Sequence, residues 1–227
     1  MPNSVAHDPK VEEDLLSLAK RVLPGGGFGN VGHPTIISRG HGCRVWDVAG
    51  REYVDYLLGS GPMIVGHAHP EVLEVIQQVV AEGTTFFTNN PYGIRLAAEI
   101  ADAMECVEQV RFVSSGSEAD MYAMRLMRAH KRKDKILKFE GGYHGMSDYG
   151  LISTTPKRVT NFPEGAADSA GIPAAVQQQM VVAPYNDLAT VESLIRENLK
   201  DLAGIIVEPF QRLIPPTPGF LEGLRQL

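Results

Sequence analysis

Residues 111–145 read RFVSSGSEADMYAMRLMRAHKRKDKILKFEGGYHG, and this stretch decides the fold. The short β-favouring run at 110–113 predicts a strand, and the small residues of 114–116 then permit a tight turn. Three methionines with helical spacing follow the turn. The stretch is therefore predicted to contain a strand, a turn and a helix that begins near residue 117.

The predicted start of this helix has the properties of an anion site. We expect Ser117 to cap the helix, with Asp120 three positions later in the capping-box place. Unpaired backbone N–H groups, the positive end of the helix dipole and the hydroxyls of Ser115 and Ser117 would then meet at Gly116. A phosphate dianion needs such an environment, although an ordinary helix cap has the same sequence pattern.

A second predicted strand, residues 135–140, ends in the loop Gly141-Gly142-Tyr143-His144-Gly145. The glycines permit close approach of the backbone to a ligand. Ligands of open α/β sheets bind at the carboxyl ends of strands, so the ring of Tyr143 is placed to stack on a flat cofactor. The alternative for Tyr143 is an ordinary loop aromatic.

Taken together, these segments resemble the class III aminotransferases, and most closely their glutamate-1-semialdehyde 2,1-aminomutase branch. The similarity extends over most of the chain in separated blocks, at 46–56, 61–70, 113–119, 134–145, 184–187 and 208–209. The resemblance implies an α/β protein with fold type I of the pyridoxal-phosphate-dependent transferases. Its domains would be an N-terminal segment of the small domain, residues 1–60, and the mostly parallel sheet of the large domain, residues 61–227.

The resemblance implies pyridoxal 5'-phosphate as cofactor and assigns roles to several residues. Ser115, Gly116 and Ser117 would hold the phosphate, and Tyr143, beside His144, would stack on the ring. Glu208 would bond around the ring substituents, with an ordinary loop carboxylate as its alternative and Gln211 as a weaker candidate. The family's Schiff-base lysine and ring-nitrogen aspartate lie on later segments, so we expect them beyond Leu227. The chain is accordingly expected to be an N-terminal fragment that is inactive by itself.

The implied activity is transfer of an amino group between an amino acid or amine and an oxo acid or aldehyde. Residues 29–33 lack the arginine of the aminomutase branch, and a run ending in 213–216 replaces its asparagine. These departures favour an aminotransferase, with the aminomutase and a non-catalytic binding module as alternatives. Arg39 or Arg44 is a candidate for holding a substrate carboxylate, unless it merely solvates a strand-rich segment.

Gly27, Gly29 and Gly32 match a dinucleotide-binding fingerprint, with Asp47 near the distance of the ribose-binding acid. That fingerprint requires a strand before it and a helix after it. Residues 11–22 instead form an amphipathic helical pattern, and a strand pattern follows. The nicotinamide interpretation is therefore disfavoured, and a helix observed before Pro24 would remove it.

Composition excludes several classes of protein. The chain has 227 residues, 44% hydrophobic content, a net charge of −6 and two cysteines. We expect no nucleic-acid partner, no disulfide framework, no membrane span and a cytoplasmic location. His67 and His69 lack further ligands at metal-binding spacing, so a structural role is favoured over a metal site.

Two further segments indicate contacts with a partner. Phe86 and Phe87 lie in the loop 83–91, where no local pattern buries them. The resemblance implies that this region lies near a dimer interface, so we expect the interface of a homodimer nearby. Residues 154–178 are predicted to be a flap over the cofactor or a partner contact. Between the early loops, a helix from Pro70 to about Glu82 is predicted to turn its apolar side inward, namely Val72, Val75, Ile76 and Val79.

Overall fold

The computed structural model describes residues 9–28, 35–155 and 160–227. The chain forms two compact units, Met1–Ile94 and Arg95–Leu227. The predicted domain boundary at residue 60 stays a prediction, because compactness within this chain does not define the domains of a longer protein.

The first unit begins with helix α1, Pro9–Val22, which confirms the predicted helix. A helix rather than a strand thus precedes Pro24, and this excludes the dinucleotide fingerprint. The carboxylate of Asp47 is also engaged, since it accepts hydrogen bonds from Arg51 Nε at 2.6 Å and Tyr53 Oη at 2.8 Å. The rest of that motif, with the substrate-related departure at residues 29–33, lies outside the described residues.

Three short strands form an antiparallel meander in the first unit. Their bounds are Ile37–His41 for β1, Arg44–Asp47 for β2 and Glu52–Val54 for β3. The strands pair antiparallel in the order β1-β2-β3. Gly42 lies between β1 and β2 and Gly50 between β2 and β3, both with positive φ, as tight turns require.

Helices α2, Pro70–Val80, and α3, Pro91–Ala103, follow the meander. The prediction that the apolar side of α2 is buried is wrong for this chain. Val72, Val75 and Ile76 are 45%, 55% and 50% exposed, and Val79 alone of the predicted set is partly buried. Within the described ranges no element packs on that side, so a helical pattern alone does not guarantee burial.

The second unit is built around a parallel sheet, as predicted. Its elements are α4, Gly116–Lys131; β4, Lys135–Phe139; α5, Ala174–Gln177; β5, Met180–Ala183; α6, Leu188–Asn198; β6, Leu202–Ile205; and α7, Phe220–Gln226. The strands are ordered β5-β4-β6, so β4 has a neighbour on each side.

The core of this unit lies on both faces of the sheet. Leu137 and Phe139 of β4 pack with residues of α6 and α7 in one cluster. Ile136, on the opposite face, packs with Met124 of α4 in another. Burial of each such side chain contributes about 1.5–3 kcal/mol, so the alternation along β4 fixes the helices on their respective faces.

The predicted strand at 110–113 is not formed. The described part of the chain has no strand paired with it, and those residues lie outside regular secondary structure. A β-favouring sequence becomes a strand only when a neighbour accepts its hydrogen bonds.

Candidate functional site

Three segments meet at the carboxyl edge of the parallel sheet. Helix α4 runs back along the sheet before β4 begins, so its N-terminus lies where β4 ends. The loops after β4 and β6 leave the sheet at the same edge. This edge is the ordinary ligand-binding position of open α/β folds.

Ser115, rather than Ser117, caps helix α4. Its hydroxyl accepts a hydrogen bond from the Glu118 amide at 3.2 Å, and the Glu118 carboxylate accepts one from the Ser114 amide at 2.8 Å. The predicted pairing of Ser117 with Asp120 is therefore wrong. The pair Ser115 and Glu118 has the same spacing two residues earlier and satisfies two amides near the start of the helix.

The first turn of α4 faces open space. A Cβ atom built on Gly116 would meet no atom within 4 Å. Ser117 Oγ accepts a hydrogen bond from the Met146 amide at 3.1 Å, which leaves its own proton to donate to a ligand. Free amides, hydroxyl donors and the helix dipole therefore surround a space that suits an anionic group.

The loop after β4 packs directly against this turn. Gly145 has a φ of +77°, and a Cβ atom there would lie 2.4 Å from the Cα of Ser117. Only glycine fits both the backbone conformation and the close approach. The loop thereby joins Tyr143 and His144 to the start of α4.

Tyr143 and His144 differ in exposure. Tyr143 is 44% exposed, so a face of its ring is available for stacking, whereas His144 is 3% exposed. Nε2 of His144 has no hydrogen-bond partner within the described residues. Burial, together with the nearby charge of Lys138, lowers the pKa of His144 to about 4, so its imidazole is neutral at pH 7.

Glu208 lies three residues after β6, near the start of α4. Among the described residues nothing bonds to its Oε2, which is buried. The pKa of Asp120 is raised, first by the burial of Asp120 and second by the negative charge of Glu208. The buried oxygen of Glu208 is therefore an acceptor available to a ligand at this edge.

Gln211 is more firmly part of the site than its sequence context indicates. It is 4% exposed, and its Nε2 donates a hydrogen bond to the Glu140 carbonyl at 2.8 Å. A Cβ atom built on Gly142 would lie 3.3 Å from Gln211 Oε1 and 3.2 Å from His144 Nε2, so both side chains approach Gly142 closely. The loop after β6 is thus tied to the loop after β4.

Lys138 has a structural role that its sequence context did not indicate. It is fully buried, and its Nζ donates to the carbonyl of Gly150 at 3.0 Å and to that of Ile152. Burial lowers the pKa of Lys138 to about 8. The polar–apolar alternation of residues 135–140 gives no sign of this burial, which follows from the fold because β4 is the central strand and is covered on both faces.

The two arginines considered for a substrate carboxylate are both engaged in the first unit. The guanidinium carbon of Arg39 lies 3.7 Å from the ring centroid of Trp46. Arg44 Nη1 pairs with the carboxylate of Glu52 at 2.8 Å. Neither is held ready for a substrate.

The described residues contain no group of three or more side chains that would hold a metal ion. His67 is used structurally, since its Nε2 lies 2.6 Å from Asp55 Oδ2. None of the helices within the described ranges is long and apolar enough to cross a bilayer.

Comparisons with known proteins identify the family of the chain. The family model described as aminotransferase class-III matches residues 28–227, so the chain belongs to the class III aminotransferases. A curated relative, glutamate-1-semialdehyde 2,1-aminomutase of Roseiflexus castenholzii, is 45% identical; the match covers 95% of this chain and 51% of that protein. The predicted family is thereby confirmed.

Solved structures confirm the fold class, fold type I of the pyridoxal-phosphate-dependent transferases. An omega-transaminase from Sphaerobacter thermophilus superimposes with a TM-score of 0.88 at 34% identity, covering 99% of this chain and 52% of that one. A transaminase with bound pyridoxal phosphate gives a TM-score of 0.88 at 33% identity, with 97% and 53% covered. The chain thus spans about half the length of the relatives it matches.

Proposed function

We propose that the protein is an aminotransferase that moves an amino group between an amino acid or amine and an oxo acid or aldehyde. The class III family supports a transaminase-type enzyme. The observation that carries the proposal is the open space over Gly116, bordered by two serine hydroxyls and a helix N-terminus.

The cofactor is pyridoxal phosphate, as the family and the transaminase with that cofactor bound indicate. The residues present fit it. Ser115, Gly116 and Ser117 supply hydroxyl and amide donors for a phosphate, and Tyr143 supplies an exposed ring. The unpaired buried atoms of His144 and Glu208 supply polar contacts at the same edge.

Each of these residues has a task in the proposed reaction. The cofactor, when bound, stabilises the negative charge that develops on substrate carbon. The first turn of α4 anchors the phosphate, and the ring of Tyr143 keeps the flat cofactor in one orientation. Glu208 fixes a polar substituent of the cofactor by accepting a hydrogen bond. His144, being neutral, adds no positive charge beside the ring.

The aminomutase is the second candidate, because the 45% identical relative bears that name. A product analysis separates the two: an aminomutase interconverts one substrate with its isomer, whereas an aminotransferase needs a separate amino acceptor. A non-catalytic binding module would bind the cofactor and transfer nothing.

We also propose that the functional protein is a homodimer. Phe86 and Phe87 are 57% and 110% exposed in this chain, and α2 exposes its apolar side in the same unit. Exposed apolar surface of this kind is typical of an interface. We therefore place the loop of Phe86 and Phe87 at the proposed interface.

The first prediction tests the placement of the cofactor. Ser117→Ala removes a phosphate donor and Tyr143→Ala removes the stacked ring, so each should weaken binding of pyridoxal phosphate about tenfold or more. Binding is measured by absorbance titration of the purified protein. Ser193→Ala, on the exposed side of α6, is the control and should bind as the wild type does. Wild-type affinity in both site variants contradicts the placement.

A further inference from the structure

The segment after β6 is held rigidly where it passes Tyr143. Two side chains donate hydrogen bonds to backbone carbonyls of this segment: Tyr185 Oη to that of Pro209 at 3.1 Å and Asn186 Nδ2 to that of Pro215 at 3.0 Å. A third bond runs from the segment, since Gln211 Nε2 donates to the Glu140 carbonyl in the loop after β4 at 2.8 Å. A loop fixed at three points within seven residues has a defined conformation. Whatever projects from it is held in place.

A strained turn projects from this segment between its fixed points. The Ile214 amide donates to the Gln211 carbonyl at 2.7 Å, which closes the turn around Arg212 and Leu213. These two residues have φ values of 48° and 69°, in the region that favours glycine. Both are exposed, with Leu213 at 85%, so burial of their own side chains does not offset the strain.

Arg212 brings a positive charge to the candidate site. Its guanidinium carbon lies 5.7 Å from the ring centroid of Tyr143. Within the described ranges no carboxylate lies within 4.0 Å of its nitrogens, whereas Arg44 and Arg196 both have such partners. The guanidinium next to the stacking ring is therefore free to bind an anion.

We propose that Arg212 binds the carboxylate of the substrate, which makes amino acids and oxo acids, rather than simple amines, the preferred substrates. This proposal rests on the function proposed above and names its substrate class. A guanidinium matches a carboxylate with two parallel N–H···O bonds, and the rigid turn holds this fork in one place. Arg44, one of the two arginines that the sequence suggested, is paired with Glu52, and Arg39, the other, lies over the ring of Trp46 at 3.7 Å, a closer contact than the 5.7 Å between Arg212 and Tyr143.

The experiment measures binding of benzoate, a plain carboxylate, and benzamide, its neutral counterpart, to the protein loaded with pyridoxal phosphate. Calorimetry should show the dissociation constant for benzoate raised about tenfold to a hundredfold in Arg212→Gln, with benzamide binding unchanged. Arg212→Lys keeps the charge and loses the fork, so it should lose part of the affinity. Arg44→Gln, which alters an arginine already paired with Glu52, is the control.

A third variant separates binding from folding. Arg212→Gly relieves the positive φ, so its thermal midpoint should stay the same or rise while benzoate binding is lost. A purely structural arginine would not give that combination. In turnover, the Arg212 variants should raise KM for L-phenylalanine and leave 2-phenylethylamine unaffected. Equal benzoate affinity in wild type and Arg212→Gln, or no benzoate binding by the wild type, overturns the proposal.

Cofactor binding is measured separately, without benzoate. Wild-type protein that fails to bind pyridoxal phosphate overturns the proposed function, and this proposal with it. Normal cofactor binding with unchanged benzoate affinity overturns the role of Arg212 alone. Loss of cofactor binding in Arg212→Gln would identify the bound anion as the cofactor's phosphate and would also overturn the substrate assignment.

Discussion

His144 follows the exposed Tyr143 in the loop after β4 and is itself buried as a neutral imidazole. The folded protein holds its pKa near 4, while an unfolded chain titrates histidine near 6.5. Between these values the unfolded chain binds a proton that the folded chain does not, so acidification favours unfolding. The difference between the two pKa values corresponds to about 3 kcal/mol of stability that is present above pH 6.5 and lost towards pH 4.

His144→Gln should remove this dependence. Between pH 7 and pH 4 the free energy of unfolding of the variant is expected to fall by about 3 kcal/mol less than that of the wild type. Urea unfolding at a series of pH values measures both. The matched control is His130→Gln, which changes an exposed histidine in the last turn of α4 and should keep the wild-type slope. Parallel curves for wild type and His144→Gln would refute the assignment.

At the scale of the element, the start of α4 combines a helix cap with an anion site. The hydroxyl of Ser115 accepts a hydrogen bond from the Glu118 amide, and its own proton remains available to donate to a ligand. Helix stability and ligand binding therefore depend on different hydrogen bonds of one side chain. A substitution that keeps the acceptor but adds a negative charge separates the two.

Ser115→Asp is that substitution. Aspartate caps helices about as well as serine, so the free energy of unfolding without cofactor should change by less than about 0.5 kcal/mol. The added carboxylate repels a phosphate, so affinity for pyridoxal phosphate should fall at least about tenfold. Asp187→Ser makes the reverse exchange at the cap of α6 and should leave cofactor binding unchanged. Wild-type cofactor affinity in Ser115→Asp would show that the phosphate binds elsewhere.

Elements whose partners are local were predictable from the sequence. The meander, α1, α4 and β4 all follow from periodicity, small-residue turns and capping residues within about twenty positions. The expected strand at 110–113 and the burial of α2 failed because each depends on a neighbour that the described chain does not supply. Local pattern specifies an element but not what covers it.

The candidate site was predictable only in part for a related reason. Gly116, Ser117 and Tyr143 stand in short motifs whose chemistry can be read from sequence. The contacts of Gln211 with Glu140, 71 residues apart, and of Arg212 with Tyr143 arise from the fold. No periodicity signals such long-range contacts.

At the scale of the whole molecule, apolar surface is concentrated in the first unit. Phe87 is fully exposed, and the apolar side of α2 has no cover within the described ranges. The proposed dimer assigns the Phe86 and Phe87 loop to a second copy.

Charged substitutions test that assignment. Phe86→Glu together with Phe87→Glu should lower the molecular mass of the functional protein in solution from that of a dimer to that of a monomer, because burying two carboxylates at an interface is unfavourable. Light scattering after size exclusion measures the mass. Phe28→Glu, at another phenylalanine of the same unit that is 89% exposed, is the control. An unchanged dimer mass in the double variant would exclude this loop from the interface.

The covalent step of an aminotransferase needs a lysine amine aimed at the cofactor. Three lysines near the sheet are engaged elsewhere. Lys138 donates to buried backbone carbonyls. Lys135 Nζ donates to Asn198 Oδ1 at 2.9 Å, and it stands at the start of β4, the opposite end from the site. Lys133 donates to the Leu199 carbonyl.

We predict that the 227-residue chain by itself binds pyridoxal phosphate without a covalent bond and does not transfer amino groups. Borohydride added to the chain with the cofactor, followed by peptide mass mapping, should reveal no lysine modified in stoichiometric amount. Lys138→Met serves as the control for accidental reaction at the buried amine. A single stoichiometric adduct at one lysine, together with amino transfer from a panel of amino acids, would show that this chain carries its own catalytic lysine.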